Sequence, residues 1–166
     1  SMQAMVDESV AKPILIGRQS VIQQTIERLS LRVKLGEEVE VFDPKDCDLH
    51  DRYWQHYHKK VARKGVSIEM AKQEMRNSPT ALASVMVDLD EAHGMICGKV
   101  GRFDMHFKTL LQVLGPKTPD THVSSVCALL LPNGPLFLAD AFLTVDPSVE
   151  EVIATTEASM EFVRQF

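Results

Sequence analysis

Short apolar runs alternate along the chain with stretches in which apolar residues recur every three or four positions, a pattern that predicts strands and helices in turn. Lys12-Pro13-Ile14-Leu15-Ile16-Gly17 is an apolar run closed by glycine, and Val39-Glu40-Val41-Phe42-Asp43 alternates apolar with polar; both read as strands. Val21, Ile22, Ile26 and Leu29 between them fall at helical spacing, and Gly36 marks the turn that follows. His50, Tyr53, Trp54, Tyr57 and Val61 share one helical face, and Gly65 stops that helix. Ser67 with Glu69 opens a helix through Ala71 and Met75, and Asn77-Ser78-Pro79 opens another carrying Ala81, Leu82, Val85, Met86 and Leu89.

The second half resumes the alternation. Met95 to Gly98 reads as a buried strand, about Asp104 to Leu114 as a helix, and Val123 to Leu131 and Leu136 to Ala139 as strands joined by a hairpin at Asn133-Gly134. Asp146 is placed to cap a last helix, with Pro147 in its first turn, Glu150 and Glu151 near its positive end, and Val149, Val152, Ile153, Met160 and Val163 as its apolar set. The expectation is an α/β fold, layered α/β/α, with a mostly parallel sheet and one antiparallel hairpin. No internal repeat or long linker interrupts it, so residues 12–166 read as one continuous domain behind an irregular, tag-like start at 1–11. A serine before Met2 reads as a scar and the chain as an excised piece.

Charge and composition then remove several classes of function. Eighteen Lys and Arg against 23 Asp and Glu give a net charge of −5, without the basic surplus that non-specific nucleic-acid binding needs. The longest apolar stretch, Val126 to Pro135, is interrupted by Asn133 and Gly134 and falls short of the ~20 residues that cross a bilayer. Cys47, in a loop, with Cys97 and Cys127 show no Cys-x-x-Cys or zinc spacing, which fits a reducing cytoplasm. The histidines never show the i, i+4 spacing of a helical metal pair, and no Gly-x-Ser-x-Gly elbow presents a nucleophile. These patterns point to no catalytic or metal-binding residue.

Ligand chemistry concentrates at two turns. Gly98-Lys99-Val100-Gly101-Arg102 is expected to leave a strand and open a helix; there two glycines permit close backbone approach, and amides and helix dipole favour an anion. Lys99, Arg102, His106 and Lys108 gather positive charge around it. The turn is either an anion site for phosphate or coenzyme pyrophosphate, or plain turn geometry. It lacks the Gly-Lys-Ser/Thr ending of a P-loop, and it lacks a third glycine; Asp120 belongs to a loop, so no dinucleotide fingerprint is present. The second turn holds Asp140, with Thr144 and Asp146 behind it, either as a ligand carboxylate or as a turn cap.

Gly98 through Gly115, read as Gly-Lys-Val-Gly-Arg-Phe-Asp-Met-His-Phe-Lys-Thr-Leu-Leu-Gln-Val-Leu-Gly, resembles the central motif of the phosphate acetyltransferase and butyryltransferase family, in the version fused to the carboxyl end of bacterial NADP-dependent malic enzymes. Lys12 to Gly17, Arg52 to His58, Arg63 to Val66, Leu138 to Asp140 and Asp146 to Glu151 support the likeness in the family's order. Gly101-Arg102-Phe103-Asp104-Met105 departs from the His/Ser-Thr-Thr-Ala-Asp usual in the acetyltransferases, Lys108 replaces an anion-binding arginine, and Thr144 replaces an asparagine. The family's first strand and helix, and its catalytic serine, arginine and aspartate, find no counterpart between Ser1 and Phe166.

The resemblance implies a phosphotransacetylase-like fold and a regulatory, non-catalytic role. It implies acetyl-CoA as effector, held by Gly98, Gly101, Arg102, His106, Lys108 and Asp140, together with homo-oligomer contacts. It also implies a malic-enzyme catalytic domain on the same chain, which oxidises and decarboxylates malate to pyruvate with NADP and a divalent Mg or Mn ion; no cofactor is expected in this part. The alternative is a working phosphate acetyltransferase that moves acetyl between acetyl phosphate and coenzyme A.

Overall fold

The computed structural model describes residues 2–45, 50–116, 118 and 121–165; Cys47 and Asp120, both read as loop residues, lie outside them. Where one continuous body was expected, the chain divides into two compact units, Ser1–Gly115 and Pro116–Phe166.

In the first unit, Met2–Asp7 is α1, helical although an irregular start was expected there. Arg32 holds it, with Nη2 3.0 Å from Asp7 Oδ2 and the backbone N–H of Arg32 donating to Gln3 Oε1. β1 (Ile14–Ile16) and β2 (Glu40–Phe42) pair in parallel, joined by α2 (Gln19–Arg28). Strand alternation decides which way each β1 side chain points. Leu15 packs with Ile26, Val33 and Val39 on one face, whereas Ile14 and Ile16 pack with the larger cluster of Phe42, Tyr53, Met75 and Leu82 on the other. Apolar material thus covers the parallel pair on both sides, as a buried parallel sheet requires.

The larger cluster is built by α3 (His50–Val61), α4 (Ile68–Asn77), α5 (Pro79–Asp88) and α6 (Phe103–Val113). Gly65, at φ 83°, takes the left-handed conformation that ends the turn after α3. Ser67 caps α4 by accepting from the Met70 N–H, and Ser78 caps α5 by accepting from the Ala81 N–H, with Pro79 in the first turn. α5 is apolar nearly all round and fully buries Ala81, Leu82 and Val85, which makes it the central helix. Tyr53 and Tyr57 are core residues, 7% and 5% exposed.

In the second unit, β3 (Val126–Leu131) and β4 (Gly134–Ala139) form an antiparallel hairpin. Leu131 pairs with Gly134, so its turn is Pro132-Asn133, one residue earlier than the Asn133-Gly134 anticipated. α7 (Val149–Val163) is capped by Ser148 rather than Asp146: the Ser148 hydroxyl accepts from the Glu151 N–H while the Glu151 carboxylate accepts from the Ser148 N–H. The helix meets the hairpin through an edge-to-face contact between Phe162 and Phe137. Its buried positions are Thr155 and Ser159, whereas Val149, Val152, Ile153 and Met160, expected to be its inner face, are exposed. No helix among the described residues is long and apolar enough to cross a membrane.

Candidate functional site

The stretch Met95 to Gly98 is not a strand. Ile96 is 87% exposed, and the parallel sheet holds only β1 and β2 among the described residues, so these residues have no strand to pair with. Three apolar residues in a row carried no information about a partner, and the glycine turn is a surface loop between α5 and α6 rather than the exit of a strand. Residues 92–101 make no backbone–backbone hydrogen bond among the described residues.

Gly98 and Gly101 have φ of 93° and 103°, a region that side chains with a Cβ seldom enter. Arg102 is the N-cap residue of α6 but supplies no side-chain cap. Its guanidinium instead forks onto Asp104, with Nε to Oδ1 at 3.0 Å and Nη2 to Oδ2 at 2.8 Å. The hydrogen bond from Arg102, aided by the backbone N–H groups of Met105 and Asp104 itself, holds the Asp104 carboxyl below the usual carboxylate range. A carboxylate of the chain's own therefore sits at the positive end of α6 and neutralises the arginine.

His106 is engaged at both ring nitrogens, 2.8 Å from Thr80 Oγ1 at Nδ1 and 2.8 Å from the Val100 carbonyl at Nε2. Lys99 and Lys108 are exposed and have no ion-pair partner among the described residues, which leaves them as the cations available to an incoming anion. Gly98, Gly101 and Arg102 lie in one turn with the His106 ring against it, whereas Lys108 lies further along α6. Asp104 and Thr80 were not expected at the site. Asp104 carried a usable signal, two residues after an arginine, whereas Thr80 lies 26 positions from its histidine and carried none.

Asp140 belongs to the second unit. Its φ is 48°, and its N–H donates to the Ser125 carbonyl at 2.7 Å. Burial pushes its carboxyl up, but hydrogen bonds from the Thr144 and Ser125 hydroxyls and the Ser125 and Leu143 N–H groups outweigh that and hold it low. The geometry is that of a side chain closing its own turn. No group of three or more His, Cys, Asp or Glu among the described residues is placed to hold a metal ion.

A parallel strand pair covered on both faces by helices, with a glycine turn opening α6 beside two unpaired lysines, defines a layered α/β domain with a basic turn on its surface. The chain matches the family described as "Phosphate acetyl/butaryl transferase" over residues 1–166, and it belongs to that family. It is 36% identical to an NADP-dependent malic enzyme of Escherichia coli over 99% of its length, and 27% identical to a phosphate acetyltransferase of Synechocystis over 94%. It spans about a fifth of the curated relatives it matches, 22% of each of these two. Its fold is that of the EutD phosphotransacetylase from Staphylococcus aureus, at a TM-score of 0.73 and 16% identity, covering 92% of this chain and 46% of that one.

Proposed function

We propose that this chain is a regulatory, non-catalytic part of a cytoplasmic malic enzyme, which senses acetyl-CoA and mediates contacts between subunits. Malate oxidation and decarboxylation to pyruvate, with NADP and a divalent Mg or Mn ion, belong to another domain of the same chain. The observation that carries this reading is the similarity itself, greater to the malic enzyme, at 36%, than to the acetyltransferase, at 27%, over nearly the whole chain. The turn is consistent with it. Asp104 occupies Arg102 and two contacts occupy His106, so the groups there are arranged to hold charge and shape rather than to move protons.

In this reading the phosphates of acetyl-CoA meet Lys99 and Lys108 and compete with Asp104 for Arg102. A coupling of about 1–3 kcal/mol between this turn and the distant malate site gives five- to hundred-fold control. The test is charge reversal at Arg102 and Lys108 in the full-length enzyme: inhibition by acetyl-CoA is lost while malate turnover without it is retained. Unchanged inhibition contradicts the assignment. The phosphate acetyltransferase likeness supports a second reading, an active acyltransferase, and robust acetyl-CoA formation from acetyl phosphate by the complete domain would establish it in place of the first.

A further inference from the structure

Of the two glycines of the turn, Gly101 already has an occupant from its own chain. A Cβ on Gly101 would lie 2.8 Å from His106 Nε2 and 3.6 Å from its Cε1, whereas a Cβ on Gly98 would lie 4.0 Å from its Cδ2. The first is a clash with a ring held by two hydrogen bonds; the second is ordinary contact.

The chemistry of those hydrogen bonds fixes the ring. A carbonyl only accepts, so the Val100 oxygen requires a proton on Nε2; in the neutral ring Nδ1 is then an acceptor, and the Thr80 hydroxyl donates to it. Thr80 is buried at 8% exposure in the first turn of α5, and its own carbonyl accepts from Ser84 Oγ at 2.7 Å, so the anchor is part of the core helix. The other end is not anchored in that way. Val100 is 83% exposed, and with no backbone–backbone hydrogen bond among the described residues of 92–101, the turn lacks packing and ladder alike.

We infer that His106 is the positioning residue of the Gly98–Arg102 turn, a latch that fastens the Val100 carbonyl to Thr80 of α5, and that position 101 is glycine to admit the His106 ring. Thr80 and His106 resemble a hydroxyl and its base, but the buried hydroxyl gives no room for a substrate, and the pair acts on the turn's shape. The latch stands on contacts within the chain. Only its consequence for acetyl-CoA rests on the proposed function: a turn released from α5 presents Lys99 and Arg102 in no single arrangement and binds a multivalent anion less well.

Limited proteolysis of the full-length chain by trypsin, read at the exposed Lys99–Val100 and Arg102–Phe103 bonds, tests this directly. His106→Ala, Thr80→Val and Gly101→Ala should each speed cleavage there by about tenfold or more, since the turn has little else to hold it, while cleavage elsewhere keeps the parent's rate. Thr80→Ser, which keeps the hydroxyl, should behave as the parent. Gly98→Ala meets a similar torsional penalty without the clash and should loosen the turn less than Gly101→Ala. The double variant Gly101→Ala/His106→Ala should gain less than the two single effects together, because the added methyl then meets no ring and only the torsional penalty remains. Unchanged cleavage in His106→Ala and Thr80→Val, or full additivity in the double variant, overturns the latch. Acetyl-CoA titration of the same variants tells the two readings apart, since altered cleavage with unchanged affinity keeps the latch and removes this turn as the ligand site.

Discussion

The Tyr53 hydroxyl donates to Glu91 Oε2 at 2.7 Å across 38 positions of sequence, joining α3 to the chain just beyond α5. Arg52 takes the other oxygen at 2.6 Å, so one carboxylate holds two adjacent residues of α3. Phe42 packs edge-on against the Tyr53 ring at 5.3 Å, tying the same residue to β2.

Burial, followed by the hydrogen bond to Glu91, pushes the Tyr53 hydroxyl up to about 12. Burial, with a smaller contribution from Glu74, raises Tyr57 as well. A raised folded value gives stability that is full below the ordinary tyrosine value of about 10 and lost as pH climbs through the folded one; for Tyr53 it amounts to about 2–3 kcal/mol. The chain has two tyrosines, so tyrosinate absorbance isolates them. We predict no absorbance transition near pH 10 in the folded protein and a rise that coincides with alkaline unfolding. A tyrosine that titrates normally while the fold persists contradicts this packing.

Asp88 makes the corresponding prediction in acid. Burial raises its carboxyl, but hydrogen bonds from Lys60 and His56 outweigh it and hold it below the ordinary value. A lowered folded value gives stability present above the ordinary carboxylate value of about 4 and lost as pH falls through the folded one. Asp88→Asn should therefore destabilise by about 1–2 kcal/mol at neutral pH and flatten the acid limb of the stability curve, read by urea denaturation across pH.

Core positions and the exposed stripe of α7 should separate cleanly under alanine substitution. Met75 and Leu82 are fully buried, and truncating either should cost about 2–5 kcal/mol. Met160 and Val152, 47% and 49% exposed, should cost well under ~1 kcal/mol in this chain, by the same denaturation measurement.

The cap of α7 gives a paired test. Ser148→Ala should cost the second unit about 1 kcal/mol and fray the first turn in hydrogen exchange, whereas Asp146→Ala should be nearly silent.

What the sequence made legible was local. β1, α2 and β2, the Ser67 opening of α4, the Asn77-Ser78-Pro79 start of α5, and the glycine stop after α3 each depend on residues within a few positions of one another, and each appeared as read. The failures needed distant information. Met95 to Gly98 has the composition of a strand but no neighbour to pair with, and α7 turns outward the stripe that its periodicity marked as inward. The candidate turn was found because glycines and basic residues cluster there. Its internal occupation by Asp104, and by His106 fastened to Thr80, was hidden because the glycines were read as making room for a ligand, whereas Gly101 makes room for the chain's own His106.

The proposed function requires that the cations at the Gly98–Arg102 turn and at Lys108 of α6 bind acetyl-CoA. The most direct measurement is calorimetric titration of acetyl-CoA into the full-length chain and into its Lys108→Glu variant. Saturable binding that weakens about tenfold or more, about 1.4 kcal/mol, on charge reversal is the expected result. Equal affinity in the two proteins, or no binding to the parent chain, would contradict it.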